Sequence, residues 1–398
     1  MQPKLKETEN PYGILSEYGH FIGGEWVSSS GGETIDLMNP ATGEVLSRIQ
    51  SGTPDDINRA VAAAKAAFPA WSQSSASQRQ EILYEMARRL KARMQDYAVF
   101  ETLNNGKPIR EGMFFDLPTA IMQFEVFAGA AYGIHGETHN YADAIGIVHR
   151  EPLGVCAQII PWNVPMIMMA SKIAPALAAG NTIVLKPAET VCLSVMEFFR
   201  EMADLIPAGV VNVVTGYGAA VGEALVTHPD VRKVAFTGSV ATARRIIQYA
   251  SENVIPQTLE LGGKSAHIVC ADADIDAAVE AATMSTVLNK GEVCLAGSRM
   301  FCSNRNPCVQ VVFEQPQLTD NPLAGVIPAV CDVLPSGEAS RVVPLVEAWT
   351  VIGGLAMATQ RIRFGVMVTG NTYRNPAFLL KQHLCRVWLL RESSRIKK

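Results

Sequence analysis

From Gly154 onward the chain alternates short apolar runs with helical stretches, and that alternation restricts the fold more than any other feature. VCAQII (155–160) precedes a helical stretch from Met166, and TIVLKP (182–187) precedes one near Leu193. VNVVTG (211–216) leads to one from Ala220, KVAFTG (233–238) to one from Val240, and QTLEL (257–261) closes the series. Five β-branched runs separated by helices are the pattern of a parallel sheet with crossovers: an α/β, doubly wound, nucleotide-binding domain. Three of the runs end in Gly or Pro, where strand carboxyl ends open onto a ligand crevice.

The flanking segments have a different rhythm. HFIGGEWV, TIDLMNP and GEVLSRIQ, all within residues 19–50, alternate and turn as strands do. Asp55 to Trp71 has an acidic first turn and alanines at helical spacing. Gln78 to Leu103 and Asp116 to Tyr132 also read as helical, and Ala144 to Arg150 as an extended arm. A new unit begins near Ser265 with the strand SAHIVC, a helix from Ile275 to Leu288, and SRMF as a further strand. After Phe301 the periodicity fades, and that segment holds four of the eight cysteines.

Composition excludes several classes. A net charge of −4 exerts no general pull toward nucleic acid or acidic membranes. Residues 152–171 carry no charge, but Pro161 and Pro165 break the run and Gln158 and Asn163 would be stranded in lipid. That segment is expected to be a buried strand, loop and helix, with no membrane partner. The opening MQPKLKETENPYG has no apolar run of the secretory kind, so a cytoplasmic location is expected. No CxxC pair and no Cys–His pair at zinc spacing occurs, so neither a metal site nor a disulfide framework is expected.

Single motifs say little. FTGSV (236–240) is one of many turns that place a Gly-Ser pair before a helix, and it lacks the full GxGxxG fingerprint. A lone Cys294 in a loop is more often inert than nucleophilic. Glu260 reads equally well as a surface residue ending a strand, and Asn163 as a turn residue between prolines. Together the pieces are far more specific. PWNVP (161–165), KPAET (186–190), FTGS (236–239), LELGGKS (259–265) and GEVCLAGSR (291–299) occur in an order and spacing that resemble the aldehyde dehydrogenase superfamily. GHFIGGEW, LMNPATGE, LNNGKP and HREPLGV resemble the same family's N-terminal landmarks, and the resemblance is nearly continuous from about residue 19 to about residue 301.

The resemblance implies NAD-dependent oxidation of an aldehyde to a carboxylic acid. It makes Cys294 the nucleophile that forms a thiohemiacetal and then a thioester, a task for which a thiolate is well suited. It makes Asn163, with the backbone N–H of Cys294, the donor to the adduct's oxyanion. Lys172 joins the catalytic set. Glu260 becomes the general base for hydrolysis, in the type of enzyme that releases a free acid rather than passing the acyl group to coenzyme A. For the cofactor, NAD, Lys186 and Glu189 match the residues on the adenine ribose, and a carboxylate there disfavours the 2′-phosphate of NADP. Gly238 and Ser239 match the pyrophosphate turn, and Trp162, Gly218, Gly222 and Leu261 match further positions lining the cofactor cleft.

The implied domains are an NAD-binding domain over 1–261, with an oligomerisation arm near 137–151, and the start of an incomplete α/β catalytic domain over 262–301. Residues 302–398 form a tail without the family's later motifs, in the style of a reading-frame slip. The intact family implies a homodimer or homotetramer. A catalytically impaired NAD-binding scaffold, lacking part of the catalytic domain, is the alternative. Within the matching region Ser171, Ala243 and Lys290 depart from the usual Trp, Gly and Gln.

Overall fold

The computed structural model describes residues 11–302 and 311–312. The chain divides into two compact units. Among the described residues, the first contains those up to Thr237 together with Ala241–Leu259, and the second contains Gly238–Val240 and those from Glu260 onward.

The first unit opens with short strands: β1 (Glu17–Tyr18), β2 (His20–Ile22), β3 (Glu25–Val27), β4 (Thr34–Met38) and β5 (Val45–Gln50). Three helices follow, α1 (Pro54–Ser72), α2 (Ala76–Ala92) and α3 (Met94–Asn105). Capping boxes start the first two, Thr53 with Asp56 and Ser75 with Gln78, and each supplies partners for otherwise orphaned backbone donors. The helical signal over Gln78–Leu103 resolves into two helices because Arg93 leaves helical geometry (φ −114°, ψ 24°). Its guanidinium there pairs with Asp96 and Glu201. After α3 come the single turn α4 (Ile109–Glu111), a π-helical turn (Gly112–Asp116) and α5 (Leu117–Ala130). The hairpin β6 (Glu137–Asn140) and β7 (Ile145–Val148) forms the expected extended arm, with Tyr141, Ile145 and Ile147 exposed.

The alternating region then forms as the β-branched runs require: β8 (Val155–Ile159), α6 (Pro165–Ala178), β9 (Thr182–Lys186), α7 (Leu193–Met202) and β10 (Val211–Val213). A π-helical turn (Gly218–Gly222) opens α8 (Glu223–Thr227), and β11 (Val231–Gly238), α9 (Val240–Glu252) and β12 (Gln257–Leu261) complete the run. Every residue of β8 and β9 is buried, as a sheet covered on both faces demands. The strand order is β12-β11-β8-β9-β10-β2-β3. The β8–β9, β9–β10 and β11–β8 pairs are parallel, whereas β2 adds antiparallel to β10. That N-terminal hairpin extends a sheet whose sequence signal began only at Gly154. The chain leaves β8 toward β10 and returns on its other side to β11, so the topological switch point lies between β8 and β11. Phe21, Phe124, Phe198 and Phe199 anchor the core, with the Phe124 and Phe198 rings stacked at 5.6 Å.

In the second unit β13 (Ala266–Val269) leads through α10 (Ile275–Val287) to β14 (Arg299–Cys302), a parallel neighbour of β13. The Asp274 carboxylate accepts from the backbone N–H groups of Asp276 and Ala277 and caps α10. A two-residue β15 (Val311–Val312) pairs antiparallel with β14. Apart from Cys302 and this strand, the expected tail lies outside the described residues.

Candidate active site

The carboxyl ends of β8 and β11 flank the switch point in register, with Ile159 opposite Phe236. From β8 the chain passes through Pro161, Trp162 and Asn163 into α6, whose first residue is Pro165. Proline suits that position because it sets a helical φ and has no N–H to leave unpaired. Asn163 is buried and Trp162 half-buried. The Trp162 carbonyl accepts from Asn105 Nδ2 at 2.7 Å, and the Asn163 carbonyl accepts from Lys107 Nζ at 2.9 Å. Neither Asn105 nor Lys107 was assigned a role from the sequence, although both lie in the LNNGKP landmark.

Two turns into α6, Lys172 is also buried, and its ammonium donates to Thr237 Oγ1 at 2.6 Å. Gln158 Nε2, on β8, donates to the Lys172 carbonyl at 2.7 Å. Lys172 therefore joins the helix after β8 to the end of β11. The Ser171 hydroxyl turns back to the Met168 carbonyl of its own helix at 3.0 Å. Ala243 is buried in the same α9 face as Ile246 and Ala250, so its methyl group is part of the core.

At the end of β9, Lys186 Nζ pairs with Glu189 at 2.8 Å and also donates to the Pro187 carbonyl at 3.1 Å. The lysine is almost fully buried while the glutamate side chain is 26% exposed, so the carboxylate is held in place yet open to a ligand. Gly218 and Gly222 bracket the π-helical turn before α8, and a Cβ at either would meet no protein atom within 4 Å. Packing alone therefore does not require glycine at these two positions.

The remaining expected residues belong to the second unit. Gly238 ends β11 and Ser239 precedes α9, both half-buried. Glu260 and Leu261, also half-buried, end β12 just before the Gly262-Gly263 turn. A Cβ added at Gly263 would lie 3.6 Å from the Cys294 carbonyl oxygen, so the turn after Glu260 sits against the thiol's own loop. The second unit thus brings the Glu260 turn and the Cys294 loop together, while in the first Asn163 follows β8 and the Lys172 ammonium meets the end of the neighbouring β11. Behind Cys294, Asn289, Lys290 and Gly291 follow one another with φ of 51°, 61° and 78°. Left-handed backbone at two non-glycine residues stores about 1 kcal/mol or more at each. Asparagine tolerates that region, but nothing in the sequence marked Lys290 for it. Lys290 Nζ pairs with Glu292 at 2.9 Å.

Among the cysteines whose side chains are described, Cys156, Cys192 and Cys270 are buried and Cys294 is half-buried. Burial pushes the Cys156 and Cys192 thiols up to about 12, and burial with Asp272 nearby raises Cys270. These three are structural and unreactive at neutral pH.

A family model described as "Aldehyde dehydrogenase family" matches residues 26–308. The chain belongs to the aldehyde dehydrogenase family. Among its relatives, a probable aldehyde dehydrogenase of Streptomyces coelicolor is 47% identical over 291 residues, covering 71% of this chain and 57% of that protein. Acetaldehyde dehydrogenase 2 of Cupriavidus necator is 45% identical over 299 residues, covering 73% and 58% respectively. The chain thus spans less than two thirds of the length of the curated relatives it matches. An NAD+ complex of an aldehyde dehydrogenase from Bacillus cereus aligns with a TM-score of 0.72 at 38% identity, covering 73% of this chain and 60% of that one. A crystal structure of a putative Burkholderia cenocepacia aldehyde dehydrogenase gives 0.71 at 42% identity, with the same coverages of 73% and 60%. Both neighbours share the α/β architecture expected from the sequence. Among the described residues no helix is long and apolar enough to cross a membrane.

Proposed function

We propose that this chain carries the machinery for NAD-dependent oxidation of an aldehyde to a carboxylic acid, with Cys294 as nucleophile and Glu260 as the base for hydrolysis. The observation that carries the reading is the setting of Cys294, half-buried where Cys156, Cys192 and Cys270 are buried, in a loop packed against the turn that follows Glu260. The thiolate adds to the aldehyde carbonyl to give a thiohemiacetal, whose oxyanion takes a hydrogen bond from the Asn163 side chain and the Cys294 N–H. When bound, NAD supplies the hydride acceptor. Glu260 then draws a proton from water, which attacks the thioester, releases the acid and restores the thiol. Lys172 holds Thr237, the residue before Gly238, through its bond at 2.6 Å.

The residues present suit the dinucleotide. The oriented Glu189 carboxylate fits a pair of ribose hydroxyls, and the room over Gly218 and Gly222 fits a close-lying ligand. Gly238 and Ser239 take the pyrophosphate in this reading, with Trp162 and Leu261 lining the cleft. The domain limits follow the same logic: 1–261 for NAD, 262–301 for the nucleophile, and 302–398 as a tail outside the family pattern. Cytoplasmic location and assembly into dimers or tetramers through the β6–β7 arm complete the proposal; the arm's exposed Ile145 and Ile147 support the latter.

The assay is NADH formation with a panel of aliphatic and aromatic aldehydes, beside Cys294→Ala. Aldehyde-dependent turnover that vanishes in Cys294→Ala is the expected result. A second reading, an impaired NAD-binding scaffold, draws support from the family match, which stops at residue 308. Saturable NAD binding without an aldehyde-dependent signal favours the scaffold, and absence of NAD binding overturns both. A DNA read across codons 298–310 tests the reading-frame origin of the tail.

A further inference from the structure

Lys107 lies between Gly106, which ends α3 in the left-handed region (φ 82°), and Pro108. Its ammonium contacts Asp116 at the end of the π-helical turn, pairs with Glu101 of α3 at 3.1 Å, and donates to the Asn163 carbonyl at 2.9 Å. The side chains of Lys107, Glu101 and Asp116 are 0–1% exposed. Glu101 is itself fixed by the Ser194 hydroxyl of α7. Burial alone would lower the Lys107 pKa, but Glu101 and Asp116 reverse that and hold it above the ordinary lysine value. The group therefore stays a charged donor at neutral pH.

Such a cluster is a poor way to gain stability, because well-packed apolar residues of similar volume serve as well or better. What it adds is direction. The Trp162 carbonyl belongs to the peptide plane before Asn163, and the Asn163 carbonyl to the plane after it. Asn105 grips the first at 2.7 Å and Lys107 the second at 2.9 Å. Peptide planes are rigid, so pinning both fixes φ and ψ at Asn163 and hence the direction in which its side chain leaves the backbone.

We infer that Lys107, buried between Glu101 and Asp116, is a positioning residue that aims the Asn163 amide by clamping its carbonyl. The inference rests on the reading of Asn163 as the oxyanion donor to Cys294 adducts. Its effect is confined to reactions that pass through an oxyanion. Loss of such a donor lowers rates by about a hundredfold or more, and displacement by about 1 Å has an effect of similar size.

The test uses the full chain and two reactions of Cys294, each located by mass spectrometry. With 4-nitrophenyl acetate the sulfur attacks the carbonyl carbon, an S–C bond forms through an oxyanion, and the C–O bond breaks with its electron pair leaving on 4-nitrophenolate. With iodoacetamide the sulfur displaces iodide and no oxyanion forms. The readout is the ratio of acylation to alkylation rate constants. Lys107→Met is expected to lower acylation about tenfold or more while alkylation stays within about twofold. Combined with Asn163→Ala, it should lower the ratio no further than Asn163→Ala alone.

Acylation and alkylation falling together, neither falling, or independent multiplication of the two effects overturns the positioning role. Where Lys107→Met does not remain folded by thermal melting, Asp116→Asn is read in its place, with a lowered ratio expected and an unchanged ratio overturning the role. If Asn163→Ala itself leaves the ratio unchanged, the oxyanion reading of Asn163 falls and the positioning role falls with it. A ratio lowered by Asn163→Ala but not by Lys107→Met or Asp116→Asn overturns the positioning role alone.

Discussion

Lys172 donates its ammonium to the Thr237 hydroxyl at 2.6 Å, joining the helix that follows β8 to the end of β11. Both residues are buried. Thr237→Val removes the hydroxyl from a buried cation, and a bond to a charged group contributes about 1.5–3 kcal/mol. Lys172→Met keeps most of the packed stem and leaves the neutral Thr237 hydroxyl without its donor, so about 1 kcal/mol is expected. Urea titrations should therefore rank Thr237→Val as the less stable variant. The reverse order would mean that the Lys172 stem, not its ammonium, is what matters here.

Asn104, on α3, uses its whole side-chain amide. Nδ2 donates to the Met38 carbonyl at 3.1 Å and the Thr190 carbonyl at 3.2 Å. Oδ1 accepts from the backbone N–H groups of Cys192 and Leu193 at 3.1 and 3.2 Å. Asn104→Asp would set a carboxylate oxygen against two carbonyl oxygens. A loss of about 3 kcal/mol or more is expected at pH 7, because two acceptors lose their donor and a charge is buried. Protonation of the new carboxyl restores one donor. Thermal melts should thus show the deficit shrinking as the pH falls toward 5, and a deficit independent of pH would contradict the bonding pattern.

Burial lowers the pKa values of His20, His228 and His267, with Asp56 opposing the shift only partly at His20. A histidine held below its unfolded value of about 6.5 binds its proton more readily when the chain unfolds. Its contribution to stability is therefore complete above about pH 6.5 and is lost as the pH falls below it. Asp116 acts in the opposite sense. Burial raises it to about 6 against the pull of Lys107, so the native state gains a proton first as the pH falls. With three groups against one, the unfolding midpoint should fall between pH 7 and pH 5. A flat or rising midpoint would show that proton uptake by native Asp116 outweighs the histidine contribution.

Much of this architecture was legible because β-branched runs and helix caps act locally. VCAQII, TIVLKP and KVAFTG became β8, β9 and β11 almost to the residue. The antiparallel addition of β2 to β10 was not legible, since the register of Phe21 against Val213 joins segments remote in the chain. The motif residues were readable only as types at spacings. That Lys107 reaches the Asn163 carbonyl depends on how α3 and the π-helical turn pack beside the PWNVP loop. The left-handed backbone at Lys290 was equally hidden, since Asn tolerates that region but Lys gives no signal for it.

Thiol labelling separates Cys294 from the other described cysteines. Cys156 and Cys192 are buried with thiols pushed up to about 12, and Cys270 is raised as well. Brief treatment of the folded chain with limiting iodoacetamide should modify Cys294 well before these three, because the thiolate is the reacting form and access is required. Peptide mass spectrometry reads the order. Early labelling of Cys156 or Cys192 would mean that the β8 or α7 region opens readily.

Glu260→Gln isolates the hydrolytic step. The amide keeps the shape of the carboxylate but takes no proton from water, so formation of the thioester should survive while its cleavage slows. With saturating NAD and an aldehyde that the parent chain oxidises, the variant should release a burst of no more than one NADH per Cys294 and then stall. Intact mass should show the chain heavier by one acyl group, and hydroxylamine, a strong nucleophile toward thioesters, should remove it. Cys294→Ala should give neither burst nor adduct. Were Glu260→Gln instead to turn over at the parent rate, another group would be activating water. Were the burst itself lost, Glu260 would be needed before the thioester forms, for example to take the proton of the Cys294 thiol. The position of Glu260, just before a turn that lies against the Cys294 loop, is compatible with either proton transfer, so burst amplitude against steady-state rate is the measurement that distinguishes them.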